Sequence, residues 1–382
     1  MRRGVVTIYG AGLLQGSAFV LIPALGGILR RAPYDLGNGT YGLLYFPEIA
    51  GAIVAALAAG ALLMRFGANG LFRLGAAANA AAMALLVGAF FAHGALMIAL
   101  LLGETLMLGA GFGLTNATIN RAATELFGGS ATGAVTILNA VIGAATALSP
   151  LVLAAFYHAL AWVVWPALLG LAWLMLPFLP EPPGGVPEQG GLSAWRRSML
   201  PFAAAVLIYA ICEGSFGSWA NVLVSVDHHL AATAGALALS LFWGGMTVAR
   251  FAFGAIDHFI HRRHLYLAAP LGMAACFLVI PALQSAGDFF WAFGLAGAAC
   301  GVYYPYTMSY GIASHPQEGT QMAGLLVGGL MVGEGIGSFG LGPLQHWLSL
   351  AVIYRLSALW ALPLVALAWR NSRATAPRGG HA

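Results

Sequence analysis

The chain is built from apolar stretches of about 20 residues, separated by short polar segments. An α-helix needs about that many apolar residues to cross the hydrocarbon core of a bilayer. Only 7% of the residues are charged, against roughly 25% in average soluble domains. A soluble fold could not cover its surface with so few charges, whereas lipid accepts apolar side chains on the outside. The pattern predicts an all-α integral membrane protein.

We expect about twelve transmembrane helices in two groups of six. Boundaries read from hydropathy are precise to about two to four residues. In the first group the predicted helices are 4–29, 39–64, 71–92, 95–119, 131–155 and 161–180. In the second group they are 199–226, 233–258, 265–284, 289–312, 321–346 and 350–369.

A segment dense in Pro and Gly separates the two groups, and this composition cannot continue a helix. The predicted organisation is a six-helix bundle over 1–180, a cytoplasmic linker over 181–198, a second bundle over 199–370 and a cytoplasmic tail over 371–382. All sixteen basic residues are arginine, and arginine-rich loops face the cytoplasm.

The arginine distribution predicts that both termini are cytoplasmic, in the inner membrane of a bacterium. Arg30 and Arg31 fall on the opposite side and are outnumbered. The cytoplasmic set is Arg2, Arg3, Arg65, Arg73, Arg121, Arg196, Arg197, Arg262, Arg263, Arg370, Arg373 and Arg378.

Four short motifs recur in the same order in both halves of the chain. A same-direction repeat of six helices is typical of transporters whose halves rock about a central site. The pairs are Gln15-Gly16-Ser17 with Glu213-Gly214-Ser215, Gly51 and Gly60 with Gly245 and Gly254, Gly109 to Gly113 with Gly297 to Gly301, and Ser149-Pro150 with Gly342-Pro343.

Two segments resemble motifs of the major facilitator superfamily. Gly60-Ala-Leu-Leu-Met-Arg-Phe-Gly67 resembles its loop between helices 2 and 3, with Met64 in place of the usual aspartate. Arg250 resembles the arginine of a Gly-Arg pattern in many second halves, with Ala249 in place of the glycine. The resemblance covers essentially the whole chain and implies two pseudo-symmetric six-helix bundles around a central site.

Within that superfamily, predicted helix 10 resembles the fucose–proton symporter type of sugar carrier. Tyr304-Pro305 and Ser309-Tyr-Gly311-Ile312 are similar to that group's Tyr-Pro and Ser-x-Gly-Ile pattern, and Trp219 in helix 7 is similar too. The resemblance implies proton-coupled transport of a sugar. The sequence departs from it at the coupling residues: Gln15 or Ser17 stands near the usual helix 1 aspartate, and Leu114 or Asn116 near the helix 4 glutamate.

Five ionisable residues lie inside predicted helices, where charge is costly and marks a cavity, a partner or a functional site. The four glutamates lie about ten to thirteen residues from the periplasmic ends, or roughly 15–20 Å, and so share a layer near the midplane. We predict that they couple transport to protons and that Arg250 forms an ion pair. The glutamates are Glu48, Glu104, Glu213 and Glu334.

Two of these pairs are expected to be close in space. Because helices 2 and 11 face one another in the superfamily, Glu48 and Glu334 should approach in one state and share a proton. Glu213 and Arg250, on neighbouring helices, should pair. The alternative is that these groups are static ion pairs or carboxylates bonded to nearby hydroxyls and backbone.

The predicted substrate-binding side chains combine amides, which bond hydroxyls, with aromatic faces, which stack on sugar rings. The alternative for the aromatic ones is an interfacial belt or helix packing. The residues are Gln15, Asn116, Trp219, Asn221, Tyr303, Tyr304 and Tyr306.

These observations predict a secondary active transporter that moves a small polar solute, a sugar or sugar-like compound, by alternating access with proton coupling. The alternatives are proton-driven efflux of amphipathic compounds and a non-transporting membrane receptor or sensor. An enzyme is not expected, because HExxH and GxSxG motifs are missing. We expect a monomer in the lipid bilayer, with no cofactor, metal or nucleic acid; Arg262 and Arg263 weaken a metal interpretation of the nearby histidines.

Overall fold

The chain folds into a bundle of helices. The structure, a computed structural model, describes residues 2–157, 161–179, 196–256 and 261–374, and these residues form no strand. The predicted linker 181–198 and tail 371–382 lie largely outside the described residues. The helices are α1 (Arg2–Phe19), α2 (Leu21–Leu29), α3 (Asn38–Leu43), α4 (Tyr45–Phe91), α5 (Gly94–Phe127), α6 (Ala131–Ala155), α7 (Val164–Met175), α8 (Leu200–Val222), α9 (Ala232–Ile256), α10 (Arg262–Val279), α11 (Ala286–Ser314), α12 (Gly319–Leu344), α13 (Leu350–Ser357) and α14 (Ala361–Ala374).

These helices make the twelve predicted passes over the described part of the chain. Nine stretches there are long and apolar enough to cross a membrane, and the longest, Asn38–Phe91, contains two passes. The shorter apolar α7 and the 29-residue α11 complete the set. Three passes consist of two helices in series, namely α1 with α2, α3 with the first arm of α4, and α13 with α14.

The two arms of α4 run in opposite directions on either side of Gly67. This glycine has a φ of 68°, in the left-handed region that other residues rarely adopt. Gly109 of α5 lies against Glu48 of the first arm, and Gly111 lies against Asn79 of the second. A single glycine therefore makes the tight turn between the second and third passes.

The bundle has two ends, which we call proximal and distal. The proximal end holds Arg3, Gly67 and Arg262, and the distal end holds Arg31 and His228. Arg73 stacks on Phe178 at 3.8 Å and Arg373 on Trp369 at 3.7 Å at the proximal end. Trp291 and Trp347 are exposed near the distal end. Aromatic side chains thus mark both ends of the apolar surface, as at two membrane interfaces.

Glycines set the close packing of helices in both halves. A Cβ atom on Gly109 would overlap the carbonyl oxygen of Glu48, and one on Gly297 of α11 would overlap that of Phe242. A Cβ atom on Gly214 would lie 2.6 Å from the carbonyl oxygen of Glu334. Small residues let membrane helices approach to backbone contact. The contacts at Gly109 and Gly214 fix the positions of two of the intramembrane glutamates.

Candidate functional site

A cavity of about 120 Å³ lies between the two halves, near the middle of the bundle. Its walls come from α1, α2, α4 and α5 of the first half and from α8, α9 and α12 of the second. Pockets that hold drug-sized ligands span about 300–1,000 Å³. In this conformer the cavity suits a small solute.

Two carboxyl groups line this cavity from opposite halves. Glu48 of α4 is nine-tenths buried, with 9% of its surface exposed, and Glu334 of α12 is half-buried. Neither side chain makes a hydrogen bond or ion pair with another described residue. The structure therefore places this predicted pair on one cavity, on elements that belong to different halves.

Aromatic rings form another part of the wall. Phe19 lies 5.6 Å from Phe112 and 6.2 Å from Trp243, measured between ring centroids. All three side chains are partly exposed to the cavity. We did not predict these rings as site residues, although Phe112 stands within the glycine-rich motif of residues 109–113 described above. The sequence does not show in which direction each ring points, and that direction decides whether the ring lines the cavity.

The hydroxyl groups at the cavity are already bonded. Ser218 donates a hydrogen bond of 2.7 Å to Ser338, and the Tyr45 hydroxyl donates one of 3.2 Å to the Ser218 carbonyl. Among the described residues, the indole N–H of Trp243 has no partner. The polar groups left for a ligand are thus few, and two of them are carboxyls.

Glu213 and Arg250 lie together below this cavity, toward the proximal end. Arg250 Nη2 is 3.6 Å from Glu213 Oε1. Glu213 is buried, whereas the Arg250 side chain is 42% exposed. The pair gives Arg250 a counter-charge, and neither residue lines the central cavity.

Glu104 lies within α5 and does not line the cavity. Its side chain is fully buried, and neither carboxylate oxygen has a hydrogen-bond partner among the described residues. An ionised carboxylate without a partner is very costly out of water. The structure does not bring Glu104 to the cavity surface in this conformer.

None of the seven residues predicted to bind substrate lines the cavity in this conformer. The amides of the first half bond to α5, because Gln15 accepts a hydrogen bond of 2.9 Å from Thr115 and Asn116 accepts one of 2.9 Å from Asn120. Asn221 donates to the Ala24 carbonyl across the two halves.

The predicted aromatic residues mainly pack helices of the second half. Trp219 donates a hydrogen bond of 2.9 Å to the Ser338 carbonyl, and Tyr303 donates one of 3.0 Å to the Leu364 carbonyl. Tyr304 stacks on Tyr209 at 6.3 Å, and Tyr306 is fully buried. Their substrate-binding role stays a prediction.

The two halves are bonded to each other between the cavity and the distal end. Tyr41 and Tyr45 each donate a hydrogen bond of 3.2 Å to the Ser218 carbonyl. Arg31 donates to the carbonyls of Ser225 and Leu230. With the Asn221 contact, these bonds form a layer that we call the distal seam. The distal seam closes this side of the cavity.

The proximal part of α12 has free space beside it. A Cβ atom on Gly324 or Gly328 would meet no described atom within 4 Å. A cavity closed on one side by inter-half bonds is the arrangement expected of one state in an alternating-access cycle.

Among the described residues, no group of three or more His, Cys, Asp or Glu side chains could hold a metal ion. Part of the histidine-containing segment weighed from the sequence, 257–260, lies outside the described residues.

No family model matches the sequence, and no curated protein matches it. Solved structures do match. A D-xylose–proton symporter matches with a TM-score of 0.75 and 15% identity, over 97% of each chain. A mutant of the nucleoside transporter NupG matches with a TM-score of 0.74 and 12% identity, over 97% of this chain and 100% of that chain.

A mutant of the E. coli fucose:proton symporter also matches, with a TM-score of 0.59 and 16% identity, over 96% of this chain and 98% of that chain. At such identities the likeness concerns the fold, since one fold can host many functions. The chain is an all-α integral membrane protein with the major facilitator fold.

Proposed function

We propose that this chain is a secondary active transporter that moves a small organic solute by alternating access. The observation that carries the proposal is the central cavity, which both halves line and which the distal seam closes on one side. Breaking that seam while the halves close at the proximal end would expose the same cavity to the other side of the membrane. The matched solved structures, two of them named as proton symporters, support the same class of function.

Proton coupling is the second part of the proposal. Glu48 and Glu334 face the cavity without a bonded partner among the described residues. An unpaired carboxylate in a low-dielectric cavity is costly, and binding a proton removes its charge. Carboxyls that face each side in turn would take up a proton on one side and release it on the other.

Two substrate classes deserve a test. A sugar-like solute is supported by the names of two matched structures, the xylose and fucose symporters. An amphipathic solute is supported by the cavity itself, because Phe19, Phe112 and Trp243 form its wall and the serine hydroxyls bond each other. Export of such a compound is therefore the alternative direction of transport.

The membrane placement is also proposed. We propose six-helix bundles over 1–180 and 199–370, both termini in the cytoplasm of a bacterium, and a monomer in the inner membrane. The described arginines at the proximal end support this orientation. A proton would be the co-substrate.

A reconstituted system tests the proposal. Purified protein in proteoliposomes is given an imposed pH gradient and a panel of sugars, organic acids and lipophilic dyes. We expect gradient-driven movement of a solute by the native chain. Glu334→Gln should abolish accumulation but spare exchange of preloaded solute at saturating concentrations, because the neutral amide keeps the shape of the site without carrying a proton.

Glu125→Gln is the matched control, since Glu125 pairs with Arg121 at 2.6 Å near the proximal end of α5, outside the cavity. Spin labels placed on α2 and α8 give a second readout that needs no substrate. Two populations of distance across the distal seam are expected. A single short distance under every pH and solute condition would contradict alternating access.

A further inference from the structure

The ionisable side chains of the cavity wall are predominantly acidic. Glu48 and Glu334 line it from opposite halves, and none of the described residues that line it is basic. Burial of an ionised carboxylate without a positive partner is unfavourable. A ligand that carries a positive charge would supply that partner to both groups at once.

The nearest basic side chain does not meet this need. Arg250 lies 3.6 Å from Glu213 and is not part of the cavity wall. Its own counter-charge already balances it. The carboxyl groups of Glu48 and Glu334 therefore remain available to a ligand that enters the cavity.

The aromatic wall suits the same kind of ligand. Phe19 lies between Phe112 and Trp243, with centroid distances of 5.6 and 6.2 Å. Faces of aromatic rings attract organic cations, and quaternary ammonium groups are bound by such rings in other proteins. The rings also exclude water, which strengthens the attraction to the carboxyls.

From this arrangement we propose that the cavity binds a small organic cation, a quaternary ammonium or protonated amine, held between Glu48 and Glu334 and packed against Phe19, Phe112 and Trp243. The inference rests on the proposed transport function and names the substrate class of that site. A sugar fits less well because each of its hydroxyls needs a partner, and most of the residues that line the cavity are apolar.

Proton and organic cation would then compete for the same carboxyls. The other titratable groups around them are Glu104 and Tyr45 beside Glu48, and Glu213 and Arg250 beside Glu334. None of these four can replace the ligand, because Arg250 already pairs with Glu213 and the others carry no positive charge. Entry of the cation would release a proton from the site, which makes proton exchange the mode of coupling.

The test compares two ligands of the same shape. Choline and its neutral isostere, in which a quaternary carbon replaces the nitrogen, are titrated into the purified full-length protein, with tryptophan fluorescence as the readout because Trp243 lines the cavity. Xylose is titrated in parallel. We expect choline to bind at least about tenfold more tightly than either neutral compound, and its affinity to fall as the pH is lowered.

Variants locate the binding site. Glu48→Gln and Glu334→Gln should each weaken choline binding by about tenfold or more and leave the isostere unaffected. Glu125→Gln should bind choline as the native protein does. Trp243→Leu should weaken choline binding, whereas Trp291→Leu, at an exposed position outside the cavity, should not. Binding to both tryptophan variants is measured by isothermal titration calorimetry, because Trp243→Leu removes the fluorescent reporter. Thermal melting of each variant confirms folding, and the comparison of choline with its isostere needs no variant at all.

Equal affinity for choline and its isostere, or no choline binding, would overturn the inference. Gradient-driven movement of xylose by proteoliposomes that do not move choline would overturn it too, while leaving the transport function intact. Choline binding without flux of any solute would instead remove the transport function and keep the cation site.

Discussion

The two halves of the molecule use the same backbone contacts for different chemistry. Gly109 of the first half packs on the carbonyl of Glu48, and Gly297 of the second packs on the carbonyl of Phe242. At the equivalent position, one half thus carries a carboxyl that faces the cavity and the other a phenyl ring buried in its own core. The same glycine contact can therefore be kept in both halves while the side chain of the residue that it contacts differs, because the glycine packs on the backbone carbonyl.

The same comparison holds for a second pair of contacts. Gly16 packs on the carbonyl of Ile142 in the first half, and Gly214 packs on that of Glu334 in the second. The two cavity carboxyls therefore stand at different positions of the repeat, and neither has an acidic counterpart in the other half. The cavity is asymmetric in chemistry although the helices around it are related.

Residues next to these glycines differ as well. Gln15 is an uncharged amide bonded to Thr115, whereas Glu213 is a carboxylate paired with Arg250. The first half keeps its interior neutral at this position and the second keeps a charge pair. Loss of Glu213 or Arg250 should therefore reduce the stability of the second half.

The largest expected effect breaks the shared packing. Gly109→Ala and Gly297→Ala should each destabilise the protein by about 1–3 kcal/mol or more, because the added methyl overlaps a backbone carbonyl that cannot move alone. Thermal melting in detergent measures the loss. Gly328→Ala, where a Cβ meets open space, is the control and should be neutral or slightly stabilising. A harmless Gly297→Ala would show that the contact is not equivalent in the two halves.

A smaller effect concerns the charge pair of the second half. Glu213→Gln should cost about 1–2 kcal/mol, because it leaves Arg250 without its counter-charge in a partly buried place. Melting of the single variants Glu213→Gln and Arg250→Gln and of the double variant gives the coupling between them. A double variant whose loss of stability equals the sum of the two single losses would mean that the two residues act independently.

The distal seam should respond to loss of one hydroxyl. Tyr41→Phe removes the bond to the Ser218 carbonyl and should raise hydrogen exchange around 218–225 by roughly two- to tenfold. Tyr9→Phe is the matched control, since Tyr9 bonds to Ala134 within the first half. Unchanged exchange in Tyr41→Phe would mean that this bond does not hold the halves together.

The smallest expected effect concerns Arg30 and His228, which lie at the distal ends of the first pass in each half. Burial lowers the pKa of Arg30 in one half and, together with the charge of His229, that of His228 in the other. A histidine whose folded-state pKa lies below its unfolded value binds fewer protons when the protein is folded. Its contribution to stability is present above the unfolded pKa and is lost as the pH falls through the folded-state pKa.

Acidification from neutral pH should therefore lower the melting temperature slightly, and His228→Gln should flatten that part of the curve. Arg30→Gln should leave the slope unchanged, because arginine stays charged throughout this range. An equal slope in the native protein and His228→Gln would assign the acid sensitivity to other groups.

Much of the fold could be predicted from the sequence because a bilayer leaves few solutions. The length of the apolar stretches predicted twelve passes, and the glycine motifs predicted a repeat whose contacts the structure contains. The pairing of Glu213 with Arg250 was likewise accessible, since unpaired charge is rare in membrane helices.

The residues that line the cavity could not be predicted from the sequence in the same way. Trp219 and Asn221 were chosen for their chemistry; they bond to Ser338 and Ala24 and do not line the cavity in this conformer, so their substrate-binding role stays a prediction. Phe19 and Trp243 looked like ordinary apolar residues, and they line it. In helices that are apolar all round, hydropathy carries no signal for which face meets the cavity.

The sequence by itself determined the membrane class, the helix count and the small residues at helix contacts, because each of these follows from length or composition. Only the tertiary structure decided that Phe19 and Trp243 line the cavity while Glu104 stays buried within its own half. The reason is rotational: a turn of one helix by a fraction of its circumference changes which side chains face the centre, and that angle is set by packing against neighbouring helices.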